Sequence, residues 1–281
     1  MINANKIAFQ GEPGAYANLA AREAVPHALA MPAPTFEDAI EAARRGDTDL
    51  VIIPVENSLI GRIADIHHLL PDSGLHIVGE HFLPIRHQLM GLASATLEDI
   101  TTVYSQAPAL AQCRTILRER KLVAHNWYDT AGSAKHVAEL GDKSVAAIAS
   151  TLAAEFYGLK ILKADVEDEH HNATRFLIMS KQDARTPNAG KVVTTLLFQV
   201  KNAPAALYKA LGAFATNNVN ITKLESYQLG GSFNATQFYA DIQGHPDAPN
   251  VHQALEELRF QTARMTVMGV YPASPFREDM P

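Results

Sequence analysis

Residues 145–158, Val-Ala-Ala-Ile-Ala-Ser-Thr-Leu-Ala-Ala-Glu-Phe-Tyr-Gly, decide the fold class of this chain. The apolar run at 145–149 predicts a buried strand, and residues 151–157 predict a helix that ends at Gly158. The same succession recurs through the first two thirds of the chain, with strands predicted at 6–10, 50–55, 103–105 and 123–127 and helices at 16–25, 36–45, 61–70, 109–120 and 132–140. Such alternation indicates mostly parallel sheets, in two lobes, with ligand sites at the carboxyl ends of the strands.

A different pattern begins after residues 183–191, a polar segment with Pro187 and Gly190 that predicts a linker. Beyond the linker, strands are predicted at 192–200, 221–228, 234–243 and 262–271, helices at 203–217 and 251–258, and a hairpin turn at Gly230-Gly231. This order of elements is βαββαβ, the ferredoxin-like arrangement. The sequence therefore predicts an α/β part followed by a smaller α+β part.

The composition limits the classes of function. The chain has 281 residues, of which 19% are charged and 47% hydrophobic, and its net charge is -6. This acidic balance argues against binding to a phosphate backbone, so no nucleic-acid partner is expected. A single cysteine, Cys113, excludes an internal disulfide framework and a Cys-based zinc site. Without a secretory signal or an apolar run of about 20 residues, we expect a cytoplasmic protein with no membrane partner that acts on a small molecule.

Polar residues collect at four junctions between predicted elements. The junctions are residues 11–16, Gly-Glu-Pro-Gly-Ala-Tyr; residues 54–61, with Glu56, Asn57 and Ser58; residues 128–134, with Thr130 and Ser133; and residues 172–176. The ordinary interpretations are a tight turn for the first and helix N-caps, such as Ser58, Asp129 or Thr130, for the next two. The backbone N–H groups of the first junction could instead hold an anion. Four junctions converging on one cleft would form a ligand pocket.

The fourth junction, Asn172-Ala173-Thr174-Arg175-Phe176, joins an acidic loop to an apolar run. It brings a primary amide, a hydroxyl and a guanidinium together at the start of a predicted buried strand. Groups of this kind can bind and protonate an anionic small molecule that carries oxygen atoms. Taken alone, however, the pentapeptide is a short motif of a type with many false positives, and Thr and Arg are common where a strand begins.

Metal and nucleophile sites receive little support from the sequence. Residues 167–171, Glu-Asp-Glu-His-His, predict a solvated loop in preference to a site for a divalent cation. The adjacent His67 and His68 point about 100° apart on a helix and do not chelate an ion together. Cys113 is interpreted as a buried small hydrophobe in preference to a nucleophile. No Gly-x-Ser-x-Gly elbow is present, so a hydrolase triad has no support.

These motifs, taken together, resemble the prephenate dehydratase family, and the likeness runs along nearly the whole chain. The matching segments are residues 11–16, Pro54-Val55-Glu56-Asn57-Ser58 with Gly61, Tyr104-Ser105, Gln112-Cys113, Asp129-Thr130-Ala131, residues 146–149 and residues 172–176. The resemblance implies a catalytic domain at 1–183 with a fold like that of type II periplasmic binding proteins. Its lobes would be roughly 1–82 with 165–183, and 83–164, with the active site in the cleft between them.

The resemblance also implies the reaction, which is the loss of CO2 and water from prephenate to give phenylpyruvate. Thr174 would be the catalytic residue, through a hydrogen bond to the departing hydroxyl group. Arg175 would grip the pyruvyl carboxylate, because strong pairing with the ring carboxylate would oppose its departure as CO2. The other implied substrate contacts are Phe176, Asn172, Glu56, Asn57, Ser58, Thr130 and Ser133. No cofactor and no metal is required.

Residues 192–273 resemble an ACT domain, a module that binds amino acids and that senses phenylalanine in this family. The implied effector contacts are Asn202, Ala205, Ala206 and Leu207, with Glu225 and Ser226 from a facing copy. We therefore expect a homodimer or a homotetramer. The family often has Gly-Ala-Leu and Glu-Ser-Arg-Pro where this chain has Ala205-Ala206-Leu207 and Glu225-Ser226-Tyr227-Gln228. These departures predict that phenylalanine still binds but that the response is altered, most simply weakened.

Two other functions are compatible with the sequence. One is a non-catalytic amino-acid sensor, which would explain both parts of the chain but gives no reason for the Thr-Arg-Phe segment at 174–176. The other is arogenate dehydratase, which performs the same elimination on the aminated substrate. Since the two substrates differ in one side-chain substituent, measuring kcat/KM on both would separate the two dehydratases.

Overall fold

The computed structural model describes residues 4–228 and 235–279. The chain forms two compact units: unit 1 comprises Met1–Leu69 and His81–Phe176, and unit 2 comprises Leu70–Glu80 and Leu177–Pro281. The expected linker at 183–191 carries neither helix nor strand. The predicted domain bounds, 1–183 and 192–273, stay a prediction. None of the helices in the described residues has the length and apolarity needed to cross a membrane.

Unit 1 contains two sheets. The strands of the first are β1 (Lys6–Gln10), β2 (Leu29–Ala33), β3 (Leu50–Asn57), the two-residue β4 (Gly61–Arg62) and the start of β11 (Ala173–Ser180), whose residues after Phe176 belong to unit 2. The order is β11-β3-β1-β2, with β4 paired to β3, and β1 is parallel to both β2 and β3. The helices of this region are α1 (Tyr16–Ala24), α2 (Phe36–Arg45) and α3 (Ala64–Leu69). Helix α2 begins after Thr35, whose hydroxyl oxygen accepts a hydrogen bond from the Asp38 N–H at 3.1 Å.

The strands of the second sheet are β6 (Gln88–Gly91), β7 (Thr102–Ser105), β8 (Val123–Asn126), β9 (Val145–Ala149) and β10 (Lys160–Lys163). They lie in the order β10-β6-β9-β7-β8. The helices are α4 (Ala107–Ala111), α5 (Arg114–Glu119), α6 (Thr130–Leu140) and α7 (Thr151–Tyr157). All five residues of β9 are buried, which explains why its sequence is a continuous apolar run with no alternation.

Unit 2 is built on β12 (Val192–Val200), α8 (Ala206–Thr216), β13 (Ile221–Gln228), β14 (Ala235–Gln243), α9 (Pro249–Gln261) and β15 (Thr262–Pro272), followed by α10 (Phe276–Asp279). The sheet order β13-β14-β12-β15, with antiparallel neighbours, is that of a ferredoxin-like fold. A 3-10 helix (Leu70–Asp72) and the start of β5 (His76–Pro84) also belong to unit 2. Strand β15 pairs with β5 through Gly269 and Ile77, so close that a Cβ atom on Gly269 would lie 2.1 Å from the Ile77 carbonyl oxygen.

The predicted fold class, an α/β part followed by a βαββαβ part, is confirmed by this architecture. Several predicted elements agree residue for residue with β1, α2, β9, α7, β12 and β13. The expectation of mostly parallel sheets is too simple. Strand β6 is antiparallel to both β9 and β10, so the second sheet is mixed. The predicted hairpin turn at Gly230-Gly231 lies outside the described residues.

Two predicted helices are wrong in detail. The helix expected at 61–70 begins as strand β4, because Gly61 and Arg62 pair with Asn57 and Glu56, and the helix runs only over Ala64–Leu69. The helix expected at 109–120 is divided into α4 and α5. The carboxylate of Asp168 accepts hydrogen bonds from the Arg114 and Thr115 N–H groups at 2.9 and 3.0 Å, and so caps the start of α5 from a distant part of the chain.

Candidate active site

Thr174 lies at the centre of a buried hydrogen-bonded cluster in unit 1. Its hydroxyl oxygen accepts a hydrogen bond of 3.0 Å from the side-chain amide of Asn57, at the end of β3. The same Asn57 amide nitrogen donates to Asn172 Oδ1 at 2.7 Å. Strands β3 and β11 are neighbours in the sheet, which brings these side chains together although the residues are more than 100 positions apart. Three residues predicted for the site therefore meet.

The orientation of the Asn57 amide decides which way the Thr174 hydroxyl points. Asn57 Oδ1 accepts hydrogen bonds from the backbone N–H groups of Leu59 and Ile60 at 2.9 and 3.1 Å. Backbone N–H groups only donate, so the Asn57 NH2 group must face Thr174. The Thr174 oxygen is then the acceptor of that bond, and its own hydrogen is left to be donated to another group. A hydroxyl held in this way is suited to donate to a ligand oxygen.

A cavity of about 210 Å³ lies beside this cluster. Its wall combines residues of both sheets of unit 1: Gln10, Gly11, Ala15, Tyr16, Ala17, Pro54, Asn57, Ile60, Ile63, Ile85, His87, Gln106, Pro108, Ala109, Gln112, Asp129, Thr130, Thr174 and Phe176. Apolar side chains alternate there with neutral amides and hydroxyls, the usual composition of a small-molecule site. The predicted catalytic residue Thr174 lines this cavity, as do the predicted substrate contacts Asn57, Thr130 and Phe176.

The hydroxyl groups of two serines predicted to contact the substrate form hydrogen bonds with backbone groups instead. Ser58 Oγ donates to the His171 carbonyl oxygen and accepts from the Ala173 N–H, both at 2.9 Å. It therefore fixes the end of β3 to the start of β11 and does not cap a helix. Ser133 Oγ donates towards the Asp129 and Thr130 carbonyl oxygens, both at 2.8 Å, inside α6. Neither hydroxyl is brought to the cavity wall, and their role as substrate contacts stays a prediction.

Arg175 and Glu56 meet on the opposite face of the sheet from Thr174. Arg175 Nη1 lies 2.9 Å from Glu56 Oε1, and the Arg175 side chain is 2% exposed. Its guanidinium carbon also lies 5.9 Å from the centre of the Phe82 ring. Adjacent residues of a strand point to opposite faces, so Thr174 and Phe176 reach the cavity while Arg175 points away. The predicted grip of Arg175 on a carboxylate is thus not supported by its position.

The turn at 11–16 packs onto helix α7. Ser150 Oγ donates to the Gly14 carbonyl oxygen at 2.6 Å, and the Tyr157 hydroxyl donates to the Pro13 carbonyl oxygen at 2.9 Å. The Gly14 N–H donates to Asn18 Oδ1 at 3.1 Å, so it is not left for an anion. Gly14 has a φ of +89°, and a Cβ atom there would lie 2.7 Å from the Ala153 Cα atom. The tight-turn interpretation therefore holds.

Cys113 is fully buried, among the apolar side chains of the second sheet. Burial raises the pKa of its thiol, and the charges of Asp168 and Glu167 raise it further. A thiol must lose its proton to act as a nucleophile, so this environment opposes that role. The interpretation of Cys113 as a small buried hydrophobe is the one that the structure favours.

The acidic loop before Asn172 is only partly solvated. Glu167 is buried, and its carboxylate accepts hydrogen bonds from Arg86 Nη1 at 2.9 Å and from the His87 N–H at 2.8 Å. His170 and His171 are exposed. The solvated-loop interpretation is thus wrong for Glu167, whose partners come from the region between β5 and β6. Among the described residues, no three His, Cys, Asp or Glu side chains are grouped as a metal ion would require.

Sequence reasoning missed Tyr16, His87 and Gln112 as contributors to the site, although all three line the cavity. Gln112 Oε1 accepts from Asn172 Nδ2 at 2.8 Å and lies 2.9 Å from His87 Nε2. His87 Nδ1 in turn lies 2.7 Å from the Tyr16 hydroxyl. Tyr16 and Gln112 occur in the segments that carry the family likeness, which was the available signal. Nothing in the local pattern around His87 pointed to it.

The predicted effector loop lies in unit 2, before α8. Asn202 and Ala205 are exposed, while Ala206 and Leu207 are half-buried against the core of the unit. Ser226 is exposed on β13 and Glu225 is half-buried, with its carboxylate 3.3 Å from Lys223 Nζ. Because the proposed site needs a facing copy, these contacts stay a prediction.

Ala205 adopts a backbone conformation that favours glycine, with φ +60° and ψ +14° just before α8. A non-glycine residue pays roughly 1–2 kcal/mol there, whereas glycine costs about 0.5–1 kcal/mol in chain entropy. We therefore expect Ala205→Gly to raise the free energy of unfolding by about 0.5–1 kcal/mol in urea titrations. Gly212→Ala, inside α8 with open space around the added methyl group, serves as a control for the opposite exchange. A lower stability of Ala205→Gly would contradict this view of the loop.

Unit 1 is an α/β unit with a buried hydroxyl and amide cluster beside a cavity, and unit 2 is ferredoxin-like. This combination is typical of a small-molecule enzyme that carries a second compact unit. The comparison with protein families is specific within that class. The family model described as "Prephenate dehydratase" matches residues 7–184. The chain belongs to the prephenate dehydratase family.

Similar proteins extend the match over almost the whole chain. A bifunctional N-acyl-homoserine lactone acylase/prephenate dehydratase of Komagataeibacter europaeus is 51% identical over 272 residues, 96% of this chain and 97% of that protein. Arogenate dehydratase/prephenate dehydratase 2 of Arabidopsis thaliana is 36% identical over 276 residues, 95% of this chain and 72% of that protein. The crystal structure of a prephenate dehydratase in complex with L-Phe from Arthrobacter aurescens superposes with a TM-score of 0.87 at 27% identity, covering 98% of this chain and 92% of that one.

Proposed function

We propose that this protein is a prephenate dehydratase that converts prephenate to phenylpyruvate, CO2 and water. The observation that carries the proposal is the hydrogen bond from Asn57 Nδ2 to Thr174 Oγ1, which leaves the Thr174 hydrogen to be donated to the cavity. Family membership supports the same reaction. The arrangement requires no cofactor and no metal, because each step breaks or forms bonds within the substrate or moves a proton.

The reaction breaks two bonds of the substrate ring. The electron pair of the bond to the ring carboxylate enters the ring as CO2 leaves, and the hydroxyl departs from the opposite carbon, which makes the ring aromatic. The departing oxygen gains negative charge and ends as water after taking up one proton. The Thr174 hydroxyl would donate a hydrogen bond to that oxygen, and stabilise it as charge develops. A threonine hydroxyl is too weak an acid to supply the proton alone. The proton that the departing oxygen takes up must therefore come ultimately from solvent.

The cavity wall is suited to a substrate that must lose a carboxylate. The titratable side chains of the wall are Asp129, His87 and Tyr16, and its other side chains are hydroxyl, amide and apolar groups. No Lys or Arg is among the described residues of that wall. Asp129 Oδ1 accepts from the Gly132 N–H at 2.6 Å and caps α6. A cation paired with the ring carboxylate would stabilise the ground state and slow its loss. A neutral donor such as the Thr130 hydroxyl would bind the substrate without that cost.

We propose that Arg175 is a positioning residue, contrary to the sequence-based expectation of a carboxylate grip. The Arg175→Lys variant keeps the charge but loses the guanidinium fork that is buried against Glu56. It should lower the free energy of unfolding by about 1–3 kcal/mol and leave the KM for prephenate within about twofold. Arg185→Lys, in an exposed pair with Asp183, is the control and should change neither quantity. A tenfold rise in KM without loss of stability would restore Arg175 as the anchor of the pyruvyl carboxylate.

The choice between prephenate and arogenate is tested by kinetics on both substrates. Relatives of this chain carry both activities in their names, so arogenate is the alternative substrate. We expect kcat/KM for prephenate to exceed that for arogenate with the purified protein. The reverse ratio would make the protein an arogenate dehydratase, and no turnover of either would favour the non-catalytic amino-acid sensor. A cytoplasmic location stays a prediction.

We also propose that unit 2 is an ACT domain that binds L-phenylalanine in a homodimer or homotetramer. The βαββαβ order of unit 2 supports this, as does the L-Phe complex of the Arthrobacter aurescens protein. Residues 202–207 of one copy would face Glu225 and Ser226 of another. An inhibitor must bind the less active state more tightly, typically by a factor of about 5–150. Calorimetry with phenylalanine and sedimentation of the whole protein test the proposal, and no heat from a monomer would refute it.

A second activity, hydrolysis of N-acyl-homoserine lactones, is a candidate because the relative at 51% identity is named for both activities. The buried Cys113 thiol, with its raised pKa, is unsuited to serve as the nucleophile. Release of the free amine from an N-acyl-homoserine lactone, measured for the wild type and for Thr174→Ala, would test this. Loss of both activities in the variant would assign them to one cavity, and no amine release by the wild type would remove the candidate.

A further inference from the structure

A continuous network of hydrogen bonds connects Thr174 with Tyr16, and both residues line the cavity. In order it contains Thr174, Asn57, Asn172, Gln112, His87 and Tyr16, with donor–acceptor distances of 3.0, 2.7, 2.8, 2.9 and 2.7 Å. Asn172 is 1% exposed and His87 is 2% exposed. A buried network of this kind is either fully satisfied or costly, so the direction of each bond can be worked out.

The direction is fixed first from the Thr174 end. The backbone N–H groups of Leu59 and Ile60 hold Asn57 Oδ1, so Asn57 donates to Asn172 Oδ1. The Asn172 NH2 group must then face Gln112, whose Oε1 accepts from it. Gln112 Oε1 can accept a second bond but cannot donate, so His87 Nε2 must carry a hydrogen.

The contact at the other end of the network fits this tautomer. With its hydrogen on Nε2, a neutral His87 has a lone pair on Nδ1 and needs a donor there. The Tyr16 hydroxyl, 2.7 Å away, supplies that donor when its one hydrogen points to Nδ1 and not to the Arg86 carbonyl oxygen, 3.0 Å from it. Two arms, one from each end, therefore bring donors to the same acceptor, Gln112 Oε1. Because the donors meet at an acceptor, the chain does not pass a proton from His87 to Thr174, and its effect is to orient the side chains.

We propose that Tyr16 and His87 are positioning residues of the active site, which act through Gln112 to hold the Asn172 and Asn57 amides in the orientation that turns the Thr174 hydrogen towards the substrate. The inference deepens the proposed prephenate dehydratase function and rests on it. Tyr16 matters while His87 is neutral, because its hydroxyl is the donor that Nδ1 needs in the tautomer with hydrogen on Nε2.

Protonation of His87 removes the need for Tyr16 as a donor. The imidazolium carries hydrogen on both nitrogens, so Nε2 still donates to Gln112, and Nδ1 donates to the Tyr16 oxygen. The Tyr16 hydroxyl can then donate to the Arg86 carbonyl oxygen, 3.0 Å away. Burial lowers the pKa of His87, while Gln112 and the charge of Glu167 oppose that shift. The other charged or titratable groups around the pair are Arg86, Cys113 and Asp168.

The Tyr16→Phe variant tests the proposal through its pH profile. At pH 7.5 or above, His87 is neutral, and we expect kcat to fall about tenfold, the effect of one hydrogen bond, with KM within about twofold. As the pH falls and His87 becomes protonated, the kcat of the variant should approach that of the wild type. Tyr157→Phe is the matched control, since it too removes one tyrosine hydroxyl of unit 1, the one that donates to the Pro13 carbonyl oxygen. Its kcat should follow the wild type at every pH.

Two variants of His87 test the proposal even if Tyr16→Phe does not fold. His87→Gln retains a side-chain NH2 group that can donate to Gln112, whereas His87→Leu has no donor, so the Gln variant should keep the higher kcat. Reactions without protein are subtracted at each pH. Unchanged kcat in Tyr16→Phe, a loss that does not depend on pH, or equal loss in both His87 variants would overturn the inference while the dehydratase function stands. A wild-type protein with no turnover of prephenate would overturn both.

Discussion

Replacing Thr174 with alanine should lower kcat for prephenate by at least about 100-fold, the lower end for a group that assists proton transfer. The structure gives the reason: Asn57 donates to the Thr174 oxygen, so the hydroxyl hydrogen is the one donor of this side chain and is directed to the cavity. The loss should appear in kcat with little change in KM, because the bond strengthens as charge develops on the departing oxygen. Steady-state kinetics of phenylpyruvate formation measure both parameters.

The conservative variant Thr174→Ser is the control for this result. It keeps the hydroxyl and its Asn57 donor but loses a methyl group, so it should recover part of the rate. Thr174→Ser should unfold at nearly the urea concentration of the wild type, and Thr174→Ala at a somewhat lower one, because it removes the acceptor of the Asn57 amide. Near-normal kcat in Thr174→Ala would remove the hydroxyl from the mechanism, and equal losses in both variants would indicate that packing, not the hydroxyl, matters at this position.

Replacing Arg277 with alanine should have the largest effect on stability, a loss of about 3–5 kcal/mol in the free energy of unfolding. Arg277, in α10, forms two bonds with the Glu80 carboxylate at 2.6 and 2.8 Å and lies 3.7 Å from Asp241 Oδ2. The Glu80 and Asp241 side chains are both 0% exposed. Without the guanidinium, two carboxylates remain buried in unit 2 with less compensation. Urea unfolding of the whole protein measures the loss.

The matched control is Arg259→Ala. Arg259 forms an ion pair with Glu256 on the surface of α9, where both side chains are largely exposed. Exposed pairs contribute roughly 0–1 kcal/mol, so the unfolding midpoint should hardly move. If Arg277→Ala unfolds at the same urea concentration as Arg259→Ala, the buried cluster does not hold the C-terminal helix in the way described.

The fold was largely predictable because local sequence patterns identify most of the helices and strands. Residues 36–45 have a capping threonine before them and Gly46 after them, and the predicted helix agrees with α2 to the residue. Strands β2 and β10 were missed because they lie partly exposed and lack an alternating pattern. The interruption between α4 and α5 was not predictable, since the Asp168 carboxylate that caps α5 is 54 residues away from Arg114.

The members of the candidate site were predictable only in part. Asn57, Asn172 and Thr174 were all identified from the sequence, and the pairing of β3 with β11 brings them together. The position of Arg175 away from the cavity could have been expected, because neighbouring residues of a strand point to opposite faces and Thr174 and Arg175 are neighbours. Its role as a substrate contact stays a prediction. The roles of Tyr16 and His87 depend on bonds between residues 71 positions apart, which no local pattern shows.

The central claim is that the purified protein converts prephenate to phenylpyruvate by means of the Thr174 hydroxyl. The most direct test is to measure CO2 and phenylpyruvate released from prephenate by the wild type and by Thr174→Ala, with the reaction in the absence of protein subtracted. The account predicts one CO2 for each phenylpyruvate with the wild type and at least about 100-fold slower release of both with the variant. Equal rates for the two proteins, or no release above the protein-free reaction, would contradict it.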